Sequence, residues 1–328
     1  MDGMISSVIP FSPYILLVAG VILLLRGAEE LVRGSTSIAS RFGISKLIIG
    51  LTVVAFGTSA PEFAVNAVGA LHGETELVMG NILGSNIANL LLVLGIVALL
   101  APPVLRSRTV WQEIPISFLA VIVLGLTANN ALSGHIAPDT ITRADGLLIL
   151  AFFGLFLAYM FSRMRHERSE LAQEEPRRRT GLWSGIVRVV AGALGLYFGG
   201  TWIVSGASHI ALILGLTPYV IGATVVAVGT SLPELAASVV AARRDESDLA
   251  IGNIIGSNIF NILWIVGITA VISPIPVSGD ANRDLVILGG VTILLFAFMF
   301  IGHPNKLKRW DGAVFILAYA AYVAMLIA

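Results

Sequence analysis

"GTSAPEFAVN" (57–66) and "GTSLPELAAS" (229–238) each set one carboxylate, Glu62 and Glu234, beside a proline inside a long apolar stretch. The rest of the chain makes that placement unusual. Of 328 residues, 56% are hydrophobic and 12% charged, with a mean hydropathy of +0.91. Soluble domains carry about 25% charged residues. Apolar runs recur along the whole length, each long enough to cross the hydrocarbon core as a helix of about 20 residues. Ten such spans are expected, near 12–36, 45–71, 78–101, 113–131, 145–162, 184–208, 216–242, 249–272, 285–302 and 311–328. The fold class is therefore an all-α polytopic membrane protein. The first run lacks a basic leader and a small-residue cleavage site, so it reads as a first transmembrane helix rather than a signal peptide. The chain has no cysteine, which excludes disulfides and thiolate metal sites. A formal net charge of zero argues against nucleic acid as a partner.

The distribution of charge says more than its sum. One set of connections holds Arg41, Lys46, Arg106, Arg108, the basic stretch within 163–183, Arg243, Arg244, Lys306, Lys308 and Arg309. The opposite set holds Arg143 and Arg283. Lysine and arginine bias orients membrane proteins, so the rich side is expected to be cytoplasmic. With ten spans, both termini then face outward, and the expected location is the cell (inner) membrane. In the first span, Arg26 and Arg33 stand four residues from Glu30 and Glu29, a spacing that favours ion pairs along a helix. The polar segment "SRMRHERSELAQEEPRRRT" (162–180) reads as a cytoplasmic linker.

That linker separates two matching halves. Gly57 corresponds to Gly229, 172 positions on, and the register then holds without gaps. Asn81 meets Asn253, Ser85 meets Ser257, Asn89 meets Asn261 and Gly95 meets Gly267. About half of the positions from Ser45 to Val104 are identical across the repeat. The expected division is a first repeat at 1–162 with its motif at 50–95, a linker at 163–183, and a second repeat at 184–328 with its motif at 222–267. Each half contains an odd number of spans, five, so the second enters the membrane inverted. Charge agrees: "HGETEL" (72–77) is free of lysine and arginine, whereas its partner "RRDESD" (243–248) is basic. Inverted five-helix repeats with polar, interrupted helices are the plan of secondary transporters, whose substrates bind near the midplane.

The motif itself explains why the helices would be interrupted. Proline has no N–H and its ring clashes with the carbonyl four residues back. Those carbonyls belong to Gly57 and Gly229. The helices are expected to break there and to leave carbonyls around Ala55 to Thr58 and Ala227 to Thr230 without helical partners. Unwound backbone at that depth is tolerated where it is buried or lines a polar cavity. With Thr58, Ser59 and Glu62, and with Thr230, Ser231 and Glu234, it makes a hard-oxygen ligand set. The next span supplies a wall: in "GNILGSNIANLLLVLG" (80–95), Asn81, Ser85 and Asn89 recur every four residues on one helix face. Asn253, Ser257 and Asn261 repeat this in "GNIIGSNIFNILWIVG" (252–267). Two carboxylates with hydroxyl, amide and carbonyl oxygens suit calcium or sodium rather than zinc or copper.

These paired motifs, "GTSAPE…GNILGSN" and "GTSLPE…GNIIGSN", resemble the two α-repeats of the cation/calcium exchanger superfamily, and most closely its prokaryotic sodium/calcium exchangers. The resemblance spans essentially the whole chain. It implies ten helices in two inverted halves and exchange of calcium for sodium. It also implies ion ligands at Thr58, Ser59, Glu62, Ser85, Asn89, Thr230, Ser231, Glu234, Ser257 and Asn261, with carbonyls near Ala55 and Ala227. Potassium-dependent relatives carry an aspartate where Asn261 stands. Calcium/proton relatives read Gly-Asn-Ala-x-Glu where this chain reads Gly-Thr-Ser-x-Pro-Glu. The expected partners are calcium ions, sodium ions and the lipid bilayer, with no cofactor. Three alternatives stay open: a calcium/proton antiporter, a membrane enzyme using Glu62 and Glu234 as an acid pair, and a channel.

Overall fold

The computed structural model describes residues 13–72, 75–104, 109–129, 139–171, 181–213, 227–299 and 306–327. The first helix, α1 (Pro13–Phe42), ends where Gly43 takes a φ of 63°. That left-handed residue lets the Ile44 N–H reach back to the Ala39 carbonyl at 2.9 Å, closing the last turn. Next come α2 (Lys46–Thr58) and α3 (Ala60–His72), set at 48° to each other. Helix α4 runs from Thr75 through a π-helical turn at Asn89–Val93 to Leu100. Helix α5 opens with a π-helical turn, Thr109–Glu113, and continues as Ile114–Ala128. After the short strand β1 (Thr140–Ile141) come α6 (Arg143–Leu171) and α7 (Leu182–Ile213).

The later helices repeat this order. Helices α8 (Ala227–Thr230) and α9 (Leu232–Arg243) are again separated by one serine. Helix α10 starts at Ser247, passes through a π-helical stretch at Phe260–Val266 and ends at Ile272. Strand β2 (Ile275–Pro276), α11 (Gly279–Phe298) and α12 (Arg309–Ile327) complete it. Among the described residues, seven helices are long and apolar enough to cross a membrane, and the bent α2–α3 pair would make an eighth.

Burial places α4 and α10 at the centre. Their spans are 78% and 83% enclosed by protein, against 28% for α6 and α7 and 22% for α12. Each central helix ends against a helix from the other half of the chain. A Cβ added at Gly95 of α4 would lie 3.0 Å from the Gly312 carbonyl of α12. One added at Gly146 of α6 would lie 2.9 Å from the Gly267 carbonyl of α10. The starts of α6 and α12 are tied alike: Asp145 accepts the Thr142 N–H at 2.9 Å and Asp311 accepts the Lys308 N–H at 2.7 Å. Carboxylates so placed satisfy amides that a helix start leaves open.

Helices α1 and α7 pack antiparallel along a glycine seam that the sequence reading did not single out. Gly20, Gly27 and Gly34 face Gly199, Gly192 and Gly185 in turn. A Cβ at Gly192 would sit 2.4 Å from the Leu31 nitrogen, and one at Gly27 would sit 2.7 Å from the Leu196 nitrogen. Bare glycines let the two backbones approach closely. Ion pairs edge the seam, where Glu30 meets Arg188 at 3.7 Å and Glu29 meets Arg244 at 3.7 Å.

Several expectations need correction. Arg33 pairs with Glu29 at 3.6 Å as its spacing suggests. Glu30, however, pairs with Arg33 at 3.2 Å and with Arg188, not with Arg26. The fifth span, expected at 145–162, lies within the longer helix α6 (Arg143–Leu171), whose Arg163 pairs with the fully buried Glu113 of α5. The fourth span, expected near 113–131, is matched by an apolar stretch at Trp111–Ala128. The all-α expectation missed a two-residue antiparallel ribbon in which Thr140 faces Pro276 and Ile141 faces Ile275. Proline is tolerated there because the ribbon is all edge. Residues 214–226, the first part of the 216–242 span, lie outside the described residues.

Candidate cation site

The two motifs break their helices at equivalent serines. Ser59 has φ −82° and ψ 5°, and Ser231 has φ −86° and ψ 1°, both outside helical geometry. The prolines therefore do not kink a continuous helix. Pro61 and Pro233 fall in the first turn of α3 and α9, where a missing N–H costs nothing because those amides lack helical partners anyway. This corrects the expected state of Ala55: its carbonyl accepts the Ser59 N–H at 2.9 Å and the Thr58 hydroxyl at 3.3 Å. Pro61 instead deprives the Gly57 carbonyl of its helical donor. In the second copy the Ser231 N–H goes to the Val228 carbonyl at 3.2 Å, one residue beyond Ala227.

The break has an electrostatic consequence. Glu62 and Glu234 lie in the first turns of α3 and α9, where the aligned peptide dipoles favour negative charge. Both are buried, at 1% and 0% exposure. They come from opposite halves of the chain, yet each motif reaches the other. The Ser59 hydroxyl donates to Glu234 Oε1 at 3.1 Å, and Ser257 Oγ lies 3.5 Å from the same oxygen. Thr58 Oγ1 is 3.3 Å from Ser257 Oγ and donates to Asn253 Oδ1 at 3.0 Å. Across the two central helices, Asn261 Nδ2 donates to Ser85 Oγ at 3.4 Å and Asn89 Nδ2 donates to Asn258 Oδ1 at 3.2 Å.

Of the residues singled out from sequence, Ala55, Thr58, Ser59, Glu62, Ser85, Asn89, Ser231, Glu234, Ser257 and Asn261 are buried and Thr230 is half-buried. Ala227 begins α8. The hydrogen bonds join Thr58, Ser59, Ser257 and Glu234 into one group, and Ser85 with Asn261 and Asn89 with Asn258 into contacts between α4 and α10. Several oxygens remain buried with no hydrogen-bond partner: Glu62 Oε2, Glu234 Oε2, Asn89 Oδ1, Asn261 Oδ1 and Ser231 Oγ. A buried acceptor left unmatched costs about 1–3 kcal/mol, more when charged. Glu62, Glu234 and Ser231 stand beside the two helix breaks and Asn89 and Asn261 on the central helices α4 and α10, and each has a lone pair to give, the chemistry a hard cation takes up. Among the described residues, no three His, Cys, Asp or Glu side chains gather as a metal cluster. The oxygens here come mainly from neutral side chains, as calcium and sodium tolerate.

Sequence reasoning missed the asparagines that hold this wall in place. Asn258 accepts from Asn89 and donates to the Asn86 carbonyl at 3.2 Å, while Asn86 donates to the Ile82 carbonyl at 2.7 Å. Their identity in both halves was a usable signal. They were passed over because they lie off the four-residue stripe of Asn81, Ser85 and Asn89.

Comparison with known proteins places the chain in a family. A profile of the family described as sodium/calcium exchanger protein matches residues 12–162 and 184–328. CaxA of Alkalimonas amylolytica is 39% identical over 320 residues, covering 95% of this chain and 98% of that protein. The inner membrane protein YrbG of Escherichia coli is 32% identical over 324 residues, covering 95% of each. The solved structure of the sodium-calcium exchanger NCX_Mj soaked with 10 mM Na+ and zero Ca2+ matches with a TM-score of 0.81 at 31% identity. That match covers 95% of this chain and 98% of the other. With its apolar helices, its paired motifs and matches running from end to end, this chain is an integral membrane protein and belongs to the sodium/calcium exchanger family.

Proposed function

We propose that the protein is a secondary antiporter that exchanges calcium for sodium by alternating access, binding the ions near the membrane midplane between Glu62 and Glu234. The observation that carries this reading is the set of buried oxygens without hydrogen-bond partners beside the two helix breaks and on the central helices α4 and α10. One calcium ion, or several sodium ions, would neutralise the two carboxylates. The ligands proposed are the side chains of Thr58, Ser59, Glu62, Ser85, Asn89, Thr230, Ser231, Glu234, Ser257 and Asn261, with the carbonyls of Ala55 and Ala227. Ten helices in two inverted repeats, joined by the 163–183 segment, would place both termini outside the cell membrane. Exchange between ends of the chain, seen in the Gly95–Gly312 and Gly267–Gly146 contacts, supports that plan. No cofactor is needed for such a cycle.

Sodium as the driving ion is supported by the hydroxyl-rich Gly-Thr-Ser-x-Pro-Glu form of both motifs and by the structural match to a protein named a sodium-calcium exchanger. The test is calcium uptake into proteoliposomes. Sodium-loaded vesicles diluted into sodium-free buffer are expected to accumulate calcium. Equal uptake driven by an outward proton gradient with sodium absent would replace the sodium reading with a proton one.

A further inference from the structure

Ser238 and Asn253 stand behind the cation site and are not among its ligands. Asn253 Nδ2 donates to Ser238 Oγ at 2.9 Å and to the Glu234 carbonyl at 3.4 Å. Its other end, Oδ1, accepts the Thr58 hydroxyl at 3.0 Å. Thr58 and Ser238 are fully buried and Asn253 is 1% exposed, so no solvent competes for these groups. A carboxamide has two donors on one end and an acceptor on the other. The Glu234 carbonyl at its nitrogen end can only accept, so the Asn253 amide turns its oxygen to Thr58, and the Ser238 hydroxyl, presenting a lone pair, holds the same nitrogen at the shorter distance. The Thr58 proton is thereby drawn to its shortest acceptor, Asn253 Oδ1, which leaves a lone pair of Thr58 Oγ1, 3.3 Å from Ser257 Oγ, for a cation.

The reverse orientation would spoil two ligands together. An inverted Asn253 amide would donate to Thr58 Oγ1 and occupy the lone pair the cation needs. The Thr58 proton, now shared between Asn253 Oδ1 at 3.0 Å and the Ala55 carbonyl at 3.3 Å, would then go to the Ala55 carbonyl alone, itself a proposed ligand. The other half of the chain lacks this relay. There Ser238 is replaced by Asn66, which donates instead to the Glu62 carbonyl at 2.7 Å. Asn66 Oδ1 and Asn81 Nδ2, the counterparts of the Ser238–Asn253 contact, are both without partners.

We propose that Ser238 is a positioning residue: through Asn253 it sets the orientation of the Thr58 hydroxyl so that an oxygen lone pair, not a proton, faces the transported cation. The proposal rests on Thr58 being a cation ligand, as read above. In proteoliposomes, Ser238→Ala is expected to raise the KM for calcium about tenfold, the effect of losing one well-placed hydrogen bond, with the maximal rate unchanged. Ser238→Thr, which keeps the hydroxyl, is expected to retain the native KM. Ser238→Val, which has the shape of threonine without its hydroxyl, is expected to match the alanine variant. Adding Ser238→Ala to Thr58→Val should have no further effect on KM. A native KM in Ser238→Ala, an equal rise in the threonine and valine variants, or a multiplied defect in the double variant would each overturn the proposal. A native KM in Thr58→Val would instead show that Thr58 is not a ligand, which removes the reading on which it stands.

Discussion

At Asn261 the second repeat offers the site an amide oxygen, fully buried and without a hydrogen-bond partner. A carboxylate there would add a third negative charge beside Glu62 and Glu234, enough to hold one more monovalent cation. Exchange is therefore expected to run at its full initial rate without potassium, and Asn261→Asp is expected to make that rate respond to added potassium. Initial calcium flux with and without potassium checks both, and strict potassium dependence of the native protein would contradict the account. Asn258 acts on the facing helix. Because its Oδ1 holds the Asn89 amide nitrogen, Asn258→Leu frees that amide to rotate and is expected to raise the calcium KM about tenfold, as for one lost buried hydrogen bond. The proposed ligands were legible because oxygen-bearing residues recur in both halves at helical spacing. Ser238 was not, because its counterpart is Asn66 and the pairing that matters spans two helices.

Among the elements, the helix breaks were readable and their geometry was not. Proline beside glycine signals an interruption, but sequence does not say whether proline ends one helix or begins the next. Here Pro61 falls in the first turn of α3, which moves the break to Ser59 and puts Glu62 on a helix N-terminus. The glycine seam between α1 and α7 was hidden for a different reason. Glycines seven residues apart are common in membrane helices, and only the partner helix shows which of them meet backbone. At Gly192 an added Cβ would fall 2.4 Å from the Leu31 nitrogen, a contact that no side-chain rotation relieves. Gly192→Ala is expected to destabilise the protein by about 1–3 kcal/mol through overpacking. Among the described residues nothing lies within 4 Å of a Cβ at Gly154, so Gly154→Ala is expected to be neutral. Thermal melts of the two variants in detergent check this, and equal melting temperatures would show that the seam does not require glycine.

Across the whole molecule, two carboxylates from opposite halves meet in a buried site, and that arrangement explains why the protein would exchange ions rather than leak them. Two ionised carboxylates close together in a medium of low dielectric repel each other and are poorly solvated. On the proposed reading, the empty site would be held back from passing through an occluded state. Calcium, with a charge of +2, would match the pair, as would several sodium ions, so loaded forms would cross while the empty form would not. The repeat was legible from register, and its inversion is the proposal that the charge pattern supports, because oppositely oriented halves would carry their lysines and arginines at opposite ends. The most direct test is calcium flux through Glu62→Gln and Glu234→Gln in proteoliposomes, with gel filtration and a thermal melt to show that each variant is folded. A buried amide costs less than a buried carboxylate, so both variants are expected to fold at least as stably as the native protein and to lose nearly all calcium transport. Calcium flux at a near-native rate in either folded variant would contradict the claim that this carboxylate pair binds the transported ion.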